Sequence, residues 1–250
     1  MFIINLLNYK TLKYSIIIPV LNEEKNLVKI IPEIFERLEK VNFELIVVDD
    51  NSTDNTSKIF KKIKNKKIRY FLRKNDRDLS RACIYGFDKS KNENIVVMDG
   101  DYQHKPKDLL RLIKAFEKKN VDILVGARNL FMNKNKGLGF IRLNASRILV
   151  LIVNVLFGKE TSDPMSGFFI FKRKLYNKTK KELLKDGYKI LLDLIYTKKY
   201  SKKKVMDFYI NFDDRKKGKS KMSLKIILKL LKMIIFKFYL LRIKQSFLVN

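Results

Sequence analysis

Short apolar runs that end in polar or acidic residues dominate the first half of the chain. Three such runs lead directly into polar segments: residues 14–20 into Leu21, Asn22 and Glu23, residues 43–48 into Asp49 and Asp50, and residues 96–98 into Asp99, Gly100 and Asp101. Runs of this length and composition predict buried β-strands. Two further apolar runs, at residues 68–72 and 121–125, predict two more strands.

Apolar residues at spacings of three and four predict helices between these strands. The predicted helices span residues 23–39, 53–64, 79–88 and 107–118. Pro32 indicates that the first helix starts late or bends at that residue. Because strands and helices alternate, we expect an α/β fold with a mostly parallel sheet covered by helices on both faces.

The pattern changes after Arg128. Residues 129–139 are rich in asparagine and glycine and predict a loop. Beyond this loop the sequence predicts a strongly apolar helix, two strands and a polar, basic segment, at residues 141–157, 169–171, 204–210 and 211–221 respectively.

The last predicted helix, at residues 224–242, is amphipathic. Its basic stripe holds Lys225, Lys229 and Lys232, with Lys237 near the edge. The opposite face is apolar and consists of Ile226, Ile227, Leu230, Leu231, Ile234, Ile235 and Phe238. Such a helix either lies in the membrane interface or packs on the core with a solvated lysine face. The high apolar content slightly favours the membrane interface.

The acidic residues after the third run are candidate metal ligands. Asp99 and Asp101 are two residues apart at a predicted strand end, and Gln103 follows at the same spacing. Mg²⁺ and Mn²⁺ prefer such oxygen ligands and keep positions open for phosphate oxygens. The alternative is an acidic turn that caps the helix beginning near Lys105. Ligands bind at the carboxyl ends of strands in open α/β sheets, so three acidic strand ends favour one shared site.

The acidic pair Asp49 and Asp50 has a second explanation. The residues that follow are good helix caps and first-turn residues: Asn51, Ser52, Thr53 and Asp54. Helix capping and contact with a nucleoside are compatible, so both interpretations stay open.

Composition restricts the chemistry. One cysteine, Cys83, allows neither a disulfide framework nor a zinc cluster, and one histidine, His104, argues against a Ser-His-Asp triad. The net charge of +29 is typical of proteins that bind nucleic acid or anionic membranes, although a biased genome explains it equally well. No nucleic-acid-binding motif is visible, so we expect no nucleic-acid partner.

The sequence predicts neither a signal peptide nor a membrane-spanning helix. The apolar residues among positions 1–13 are interrupted by Asn5 and Asn8 and have no cleavage signature. No run of ~20 uncharged apolar residues occurs.

Together these motifs resemble the family 2 glycosyltransferases with a GT-A fold, and more narrowly the dolichyl- or polyprenyl-phosphate mannosyltransferases. The matching segments follow the family's order: residues 19–23, 48–54, 77–80, 98–104, 126–128, 142 with 146, 163–168, 187–189 and 215–221. The resemblance implies a Rossmann-like GT-A domain at 14–222, with a nucleotide-sugar half at about 14–128 and an acceptor half at about 129–222. An amphipathic, membrane-associated helix would follow at 223–250.

The resemblance also implies roles on the donor side. The nucleoside pocket would be formed by Pro19, Leu21, Glu23, Val48 and Asp50. Mg²⁺ or Mn²⁺, and through it the donor diphosphate, would be held by Asp99, Asp101 and Gln103, with Gly100 against the nucleotide. The cations facing the donor would be Arg128, Arg215 and Lys221.

On the acceptor side, the resemblance implies that Arg128, Arg142 and Ser146 face a lipid phosphate. Asp101, Arg128 and Arg142 would be the catalytic residues. The implied reaction moves a hexose, mannose from GDP-mannose in the first instance, to dolichyl or polyprenyl phosphate. Such a phosphate is already an anion and needs no general base, so the expected course is a single displacement with inversion.

Departures from the family pattern leave other functions open. Leu21 stands where an aromatic residue is common, and Lys105 stands where proline is common. We expect a peripheral enzyme at the cytoplasmic face of the membrane, held by helix 141–157 and the C-terminal helix. The alternatives are transfer from UDP-glucose or another sugar nucleotide in lipid-linked sugar or surface polysaccharide synthesis, a degenerate transferase acting as a binding partner, and a basic nucleic-acid-binding protein.

Overall fold

The computed structural model describes residues 13–74, 77–131, 140–184, 187, 189–197, 203–211 and 224–246, with only the main chain at 140–142, 224–226 and 244–246. Within these residues the strands are β1 (Lys13–Val20), β2 (Asn42–Asp49), β3 (Ile68–Leu72), β4 (Asn94–Met98), β5 (Ile123–Arg128), β6 (Phe168–Lys172) and β7 (Val205–Ile210). The helices are α1 (Glu24–Arg37), α2 (Thr56–Lys62), α3 (Leu79–Lys89), α4 (Pro106–Lys119), α5 (Phe140–Phe157), α6 (Arg173–Thr179), α7 (Ile190–Ile195) and α8 (Leu224–Ser246).

The described strands form one sheet in the order β3-β2-β1-β4-β6-β5-β7. β1 pairs in parallel with β2 and β4, β2 with β3, and β5 with β7. The expected mostly parallel sheet is therefore confirmed. β6 is the exception, because it runs antiparallel to both β4 and β5. As a result, the chain enters β6 at the edge where β4 and β5 end.

Helices cover both faces of the sheet. Along β4, Val96 and Met98 face one core, while Ile95 and Val97 face the other, as the period of two in a strand requires. The first core is closed by α1, α2 and α4. The second is closed by α3, α5, α6, α7 and α8. Burial of these two apolar faces is the main source of stability, and it fixes which strand ends meet at the carboxyl edge.

The start of α1 agrees with the sequence-based prediction to within one residue, whereas the start of α2 differs. α1 begins at Glu24 and continues through Pro32, so it does not start late. α2 begins at Thr56 rather than at residue 53. The reason is a cross-connection between loops: the Asn22 side chain accepts hydrogen bonds from the main-chain N–H of Thr53 (2.7 Å), and the Ser52 hydroxyl accepts one from the main-chain N–H of Asn22 (2.8 Å).

The C-terminal helix α8 fits neither sequence-based interpretation completely. Leu230, Met233 and Ile234 pack into the second core, so one face of α8 is part of the folded domain. Lys237, placed by the wheel near the solvated basic stripe, is instead buried and pairs with the Asp193 carboxylate on α7. Lys237 therefore does not share the solvated position of the basic stripe, because its ammonium group faces α7.

No helix in the described part of the chain is both long enough and apolar enough to cross a membrane.

Candidate active site

The turn after β4 brings Asp99 and Asp101 to the carboxyl edge of the sheet. Tyr102 has a φ of 64°, a left-handed conformation that is uncommon for a bulky residue. Two contacts hold this turn: the Tyr102 hydroxyl donates to Glu33 on α1 (2.6 Å), and the main-chain N–H of Gln103 donates to Asp101 (3.1 Å). The left-handed turn at Tyr102 therefore determines how the side chains of Asp99 and Asp101 are oriented.

The Asp99 carboxylate lies directly against the main chain of Gly167. A Cβ atom at position 167 would be 2.0 Å from Oδ2 and 2.4 Å from Cγ of Asp99. This contact follows from the topology, since Phe168 at the start of β6 pairs with Met98 at the end of β4. No hydrogen bond reaches the Asp99 carboxylate from the described residues, and its side chain is 30% exposed.

His104 is a buried, neutral side chain next to Asp99. Its ring stacks on Phe168 with centroids 5.0 Å apart, and Nε2 lies 3.9 Å from Oδ2 of Asp99. Burial lowers the pKa of His104 to about 3, and the nearby charge of Arg128 adds to this effect. A histidine of this kind does not supply a charged acid at neutral pH, so it acts through packing.

Opposed charges converge on Asp99. Burial raises the pKa of Asp99, and the Asp101 carboxylate raises it further, while the positive charges of Lys189 and Arg128 oppose the rise. Burial and the charge of Arg128 in turn lower the pKa of Lys189, against the influence of Asp99, Asp163 and Asp101. The site thus combines two carboxylates with two cations, of which Arg128 is buried while Asp99, Asp101 and Lys189 are partly exposed.

Arg128, the last residue of β5, is held by a two-pronged ion pair. Its Nε and Nη2 donate to the two carboxylate oxygens of Asp163 at 2.7 and 2.8 Å, and its main-chain N–H donates to the same carboxylate at 3.1 Å. Although burial opposes it, the Arg128 charge lowers the pKa of Asp163. This geometry fixes the plane of the guanidinium, as paired N–H donors on a carboxylate do.

Both aspartates at the end of β2 accept internal hydrogen bonds. Asp50 accepts from Arg73 and from the main-chain N–H of Asp78 (2.6 Å). Asp49 accepts from the main-chain N–H of Ser52 (2.8 Å) and from the Tyr70 hydroxyl (2.6 Å). Burial raises the pKa of Asp50 in spite of the opposing charge of Arg73. These carboxylates hold the loops after β2 and β3 in place.

The end of β1 adds a third acidic group. Glu23 is buried, and its carboxylate accepts from the Asn26 side chain at 2.7 Å. Its negative charge contributes to the raised pKa of Asp99, which places Glu23 within electrostatic range of the turn after β4. Pro19 is buried in β1, and Leu21 is half-buried just after it. The three acidic strand ends therefore meet at one edge, as the sequence predicted.

The remaining predicted site residues are either buried or lie outside the described part of the chain. Val48 is fully buried in the second core, so a contact between Val48 and a nucleoside would involve its main chain. Gly100 is buried against Val20 and Ile18, which lie 2.9 and 3.2 Å from the position of a Cβ. Ser146 is buried on α5. The Arg142 side chain, Arg215 and Lys221 lie outside the described residues.

Sequence reasoning assigned no role to three groups that the structure places here. These are Lys189 beside the acidic pair, Asp163 paired with Arg128, and Arg73 paired with Asp50. Lys189 and Asp163 both occur in segments that resemble the family, and that resemblance was the available signal. Arg73 had none, because nothing in its local pattern indicates a partner 23 residues away.

The residues after β4 fit a hard divalent cation. The Asp99 carboxylate accepts no hydrogen bond from the described residues, and it lies in a partly buried setting next to a second carboxylate. Two like charges in such a setting raise the free energy of the ionised pair, and a cation between them relieves this cost. Asp99, Asp101 and Gln103 would supply the oxygen ligands.

Comparison with known proteins identifies a family and agrees with this fold. The profile described as glycosyl transferase family 2 matches residues 15–179. The chain is 33% identical over 224 residues to a dolichol-phosphate mannosyltransferase from Pyrococcus furiosus, covering 88% of this chain and 62% of the relative. It is 26% identical over 229 residues to a dolichol-phosphate mannosyltransferase from Mycosarcoma maydis, covering 88% of this chain and 77% of that one.

Solved structures give the same architecture. A glucosyl-3-phosphoglycerate synthase from Mycobacterium tuberculosis, in complex with Mn²⁺, uridine diphosphate and phosphoglyceric acid, superposes with a TM-score of 0.68 at 17% identity. The match covers 91% of this chain and 79% of that one. At this identity the likeness shows the fold alone, and the fold is GT-A.

The seven-stranded sheet and the acidic turn after β4 define a GT-A protein. The chain belongs to glycosyl transferase family 2. It spans 62% of the length of the Pyrococcus relative.

Proposed function

We propose that this protein is a metal-dependent, inverting glycosyltransferase that transfers a hexose to dolichyl or polyprenyl phosphate. The favoured sugar is mannose, with GDP-mannose as the donor. The observation that carries the proposal is the pair Asp99 and Asp101, which lies at the carboxyl edge beside the cations Arg128 and Lys189. A carboxylate pair with nearby cations suits a cation-bound diphosphate better than it suits a neutral ligand.

Each side of the site has a separate task in this proposal. The loops after β1 and β2 bind the nucleoside, and the connected side chains of Asn22, Ser52 and Thr53 keep these loops together. Asp99, Asp101 and Gln103 hold Mg²⁺ or Mn²⁺. When bound, the cation supplies positive charge that stabilises the departing nucleoside diphosphate.

The acceptor needs orientation rather than deprotonation. A phosphate monoester is an anion at neutral pH, so its oxygen can attack the anomeric carbon without a general base. The neutral, buried His104 is consistent with such a reaction. Arg128, kept in one orientation by Asp163, places positive charge beside the site, and Arg142 and Ser146 on α5 are proposed to complete the phosphate site.

The names of two relatives support mannose as the sugar and dolichol phosphate as the acceptor. Both dolichol-phosphate mannosyltransferases align over 88% of this chain. The exposed apolar residues of α5 and α8 are consistent with an acceptor that is itself a membrane lipid: Ile148, Leu151, Val155, Leu228, Ile235, Phe236 and Tyr239. We therefore propose a peripheral enzyme at the cytoplasmic face of the membrane.

The test is transfer of radiolabelled mannose from GDP-mannose to a short polyprenyl phosphate in detergent, with Mg²⁺ or Mn²⁺ and with EDTA. The proposal predicts a labelled lipid that forms only with metal. A parallel reaction with UDP-glucose serves as the donor control. Labelled lipid from UDP-glucose alone would reject mannose as the sugar, and equal product with EDTA would reject the metal.

A further inference from the structure

A pocket of about 410 Å³ opens between the start of α3, residues Leu184 and Gly187, and helix α8. Its lining combines apolar and charged residues: Asp78, Leu184, Gly187, Lys229, Lys232, Met233 and Phe236. Gly187 is essential to its shape, because it has a φ of +127° and a Cβ there would lie 2.7 Å from the Met233 sulfur. None of the roles assigned above uses this pocket.

The charges around the pocket favour an anionic ligand. Lys229 and Lys232 lie three residues apart on α8, and both are exposed. Residues 224–250 contain six basic residues and no acidic one. Asp78 is the acidic group in the lining, but its carboxylate accepts from the main-chain N–H groups of Arg81 (2.9 Å) and Gly187 (2.8 Å). Its charge is therefore directed at the protein rather than at the pocket.

The apolar surroundings favour an anion that carries a hydrocarbon chain. Phe236, at the rim of the pocket, is 54% exposed, and Ile235 and Tyr239 on the same helix are each 61% exposed. On the neighbouring α5, Val155 is 84% exposed. A free phosphate would use the lysines and leave these side chains in water, whereas a lipid would use both.

We propose that this pocket binds the anionic phosphate headgroup of a bilayer phospholipid, with Lys229 and Lys232 on the phosphate and Phe236 among the first carbons of the chain. The inference rests on the membrane association proposed above and gives it a defined site. The pocket also lies next to the donor site, because the main-chain N–H of Asp78 donates to Asp50. A lipid bound here would hold the active-site edge at the membrane surface.

A single-tryptophan reporter tests the location. The chain contains no tryptophan, so Phe236→Trp provides the only indole signal. The matched control is Val28→Trp on α1, which is 57% exposed but belongs to the helices on the opposite face of the sheet. With phosphatidylcholine–phosphatidylglycerol vesicles carrying brominated chains, we expect quenching of the tryptophan at position 236 and none at position 28. Equal quenching at both positions, or none at 236, would overturn the proposal.

A charge-matched pair of variants tests the headgroup contact. The double change Lys229→Ala with Lys232→Ala is compared with Lys58→Ala with Lys61→Ala, two exposed lysines at the same spacing on α2. At fixed ionic strength we expect the first pair to weaken binding to anionic vesicles roughly 30-fold, from about 1 kcal/mol per lysine. The α2 pair should change binding by less than about threefold. Equal losses would mean that only net charge matters, which contradicts a defined site.

The source of the phosphate is tested with two further arms. Inorganic phosphate, added at the same concentration as the anionic lipid, should not displace the protein from the vesicles. Vesicles of pure phosphatidylcholine should bind the protein weakly. Displacement by inorganic phosphate would show that the pocket takes a free anion and would overturn the lipid assignment. These measurements need no sugar transfer, so failure of the proposed enzymatic reaction would not be mistaken for failure of this site.

Discussion

The ends of β2 and β4 lie at the same edge of the sheet and carry two aspartates each, but the hydrogen bonding of these carboxylates differs. At the end of β2, Asp49 and Asp50 each accept two hydrogen bonds from the surrounding chain. At the end of β4, no described residue donates a hydrogen bond to the Asp99 carboxylate, which lies against the main chain of Gly167. A carboxylate that accepts internal hydrogen bonds holds loops together, whereas a partly buried carboxylate that accepts none from the described residues is available for a cation.

The largest expected effect is on turnover, which distinguishes the acidic end of β4 from that of β2. Asp101→Asn, which removes a negative charge from the end of β4, should reduce metal-dependent transfer by about 10³-fold, the scale expected when a preorganised charge is lost from a transition state. Asp50→Asn should reduce it by far less, about tenfold, because the Asp50 carboxylate already pairs with Arg73. Initial rates at saturating metal measure both. Similar losses in the two variants would remove the distinction between the strand ends.

The second effect separates them by stability. Asp50→Asn leaves the buried guanidinium of Arg73 without its carboxylate partner, and breaking a buried pair costs about 3 kcal/mol. We therefore expect a clear loss in the free energy of unfolding, measured by urea denaturation without metal. Lys172→Ala, which breaks a more exposed pair with Asp122, is the control and should cost less than about 1 kcal/mol. Equal costs would mean that the Asp50 pair is not structural.

The third effect tests the close approach at Gly167. A methyl group in Gly167→Ala must displace the Asp99 carboxylate, so metal affinity should fall about 10- to 100-fold, as when the support of a ligand is lost. Gly86→Ala is the control, because its Cβ would lie 2.6 Å from Ile17 in the core and should cost about 1–3 kcal/mol of stability. Titration with Mn²⁺ should show a loss of affinity only in Gly167→Ala. Unchanged metal affinity there would place the ligand site elsewhere.

The fourth effect concerns Lys189. Lys189→Met removes a positive charge near Asp99 and Asp101, so Mn²⁺ alone should bind as well as before or more tightly. The nucleoside diphosphate should bind roughly tenfold more weakly, because one charge-assisted contact is lost. Lys174→Met, an exposed lysine on α6, should change neither affinity. A purely structural role for Lys189 would instead lower the melting temperature and weaken both ligands equally.

The smallest effect is a dependence of stability on pH. Because the folded-state pKa of Asp99 is raised, ionising it costs stability above the folded-state pKa, and the cost vanishes below the unfolded pKa, where both states are protonated. In EDTA, Asp99→Asn should therefore stabilise the protein at pH 8 by about 1 kcal/mol or less, given its partial exposure, and by much less near pH 4. Melting temperatures at the two pH values measure this. If Asp99→Asn instead lowered the melting temperature at pH 8, ionised Asp99 would not be destabilising the folded protein.

The sequence predicted those features that depend on local pattern. The strand ends at Val20, Asp49 and Met98 could be predicted because a buried parallel strand must stop where polar residues begin. Since such strands end at one edge of the sheet, the meeting of Asp50, Asp99 and Glu23 followed from the same pattern.

Long-range partners could not be predicted. Nothing local indicates that Arg73 pairs with Asp50, or that Lys237 pairs with Asp193 rather than facing solvent. The contact of Gly167 with Asp99 required the antiparallel placement of β6 between β4 and β5, which periodicity does not determine. The active-site geometry therefore depends on tertiary pairing, whereas the list of candidate ligands does not.

The most direct test of the account is calorimetric titration of Mn²⁺ with GDP into the wild-type protein, Asp99→Asn and Asp50→Asn. We expect Asp99→Asn to lose metal-dependent binding and Asp50→Asn to keep metal binding despite its lower stability. If Asp50→Asn lost the metal and Asp99→Asn kept it, the acidic end of β4 would not be the metal site, and the central claim would be wrong.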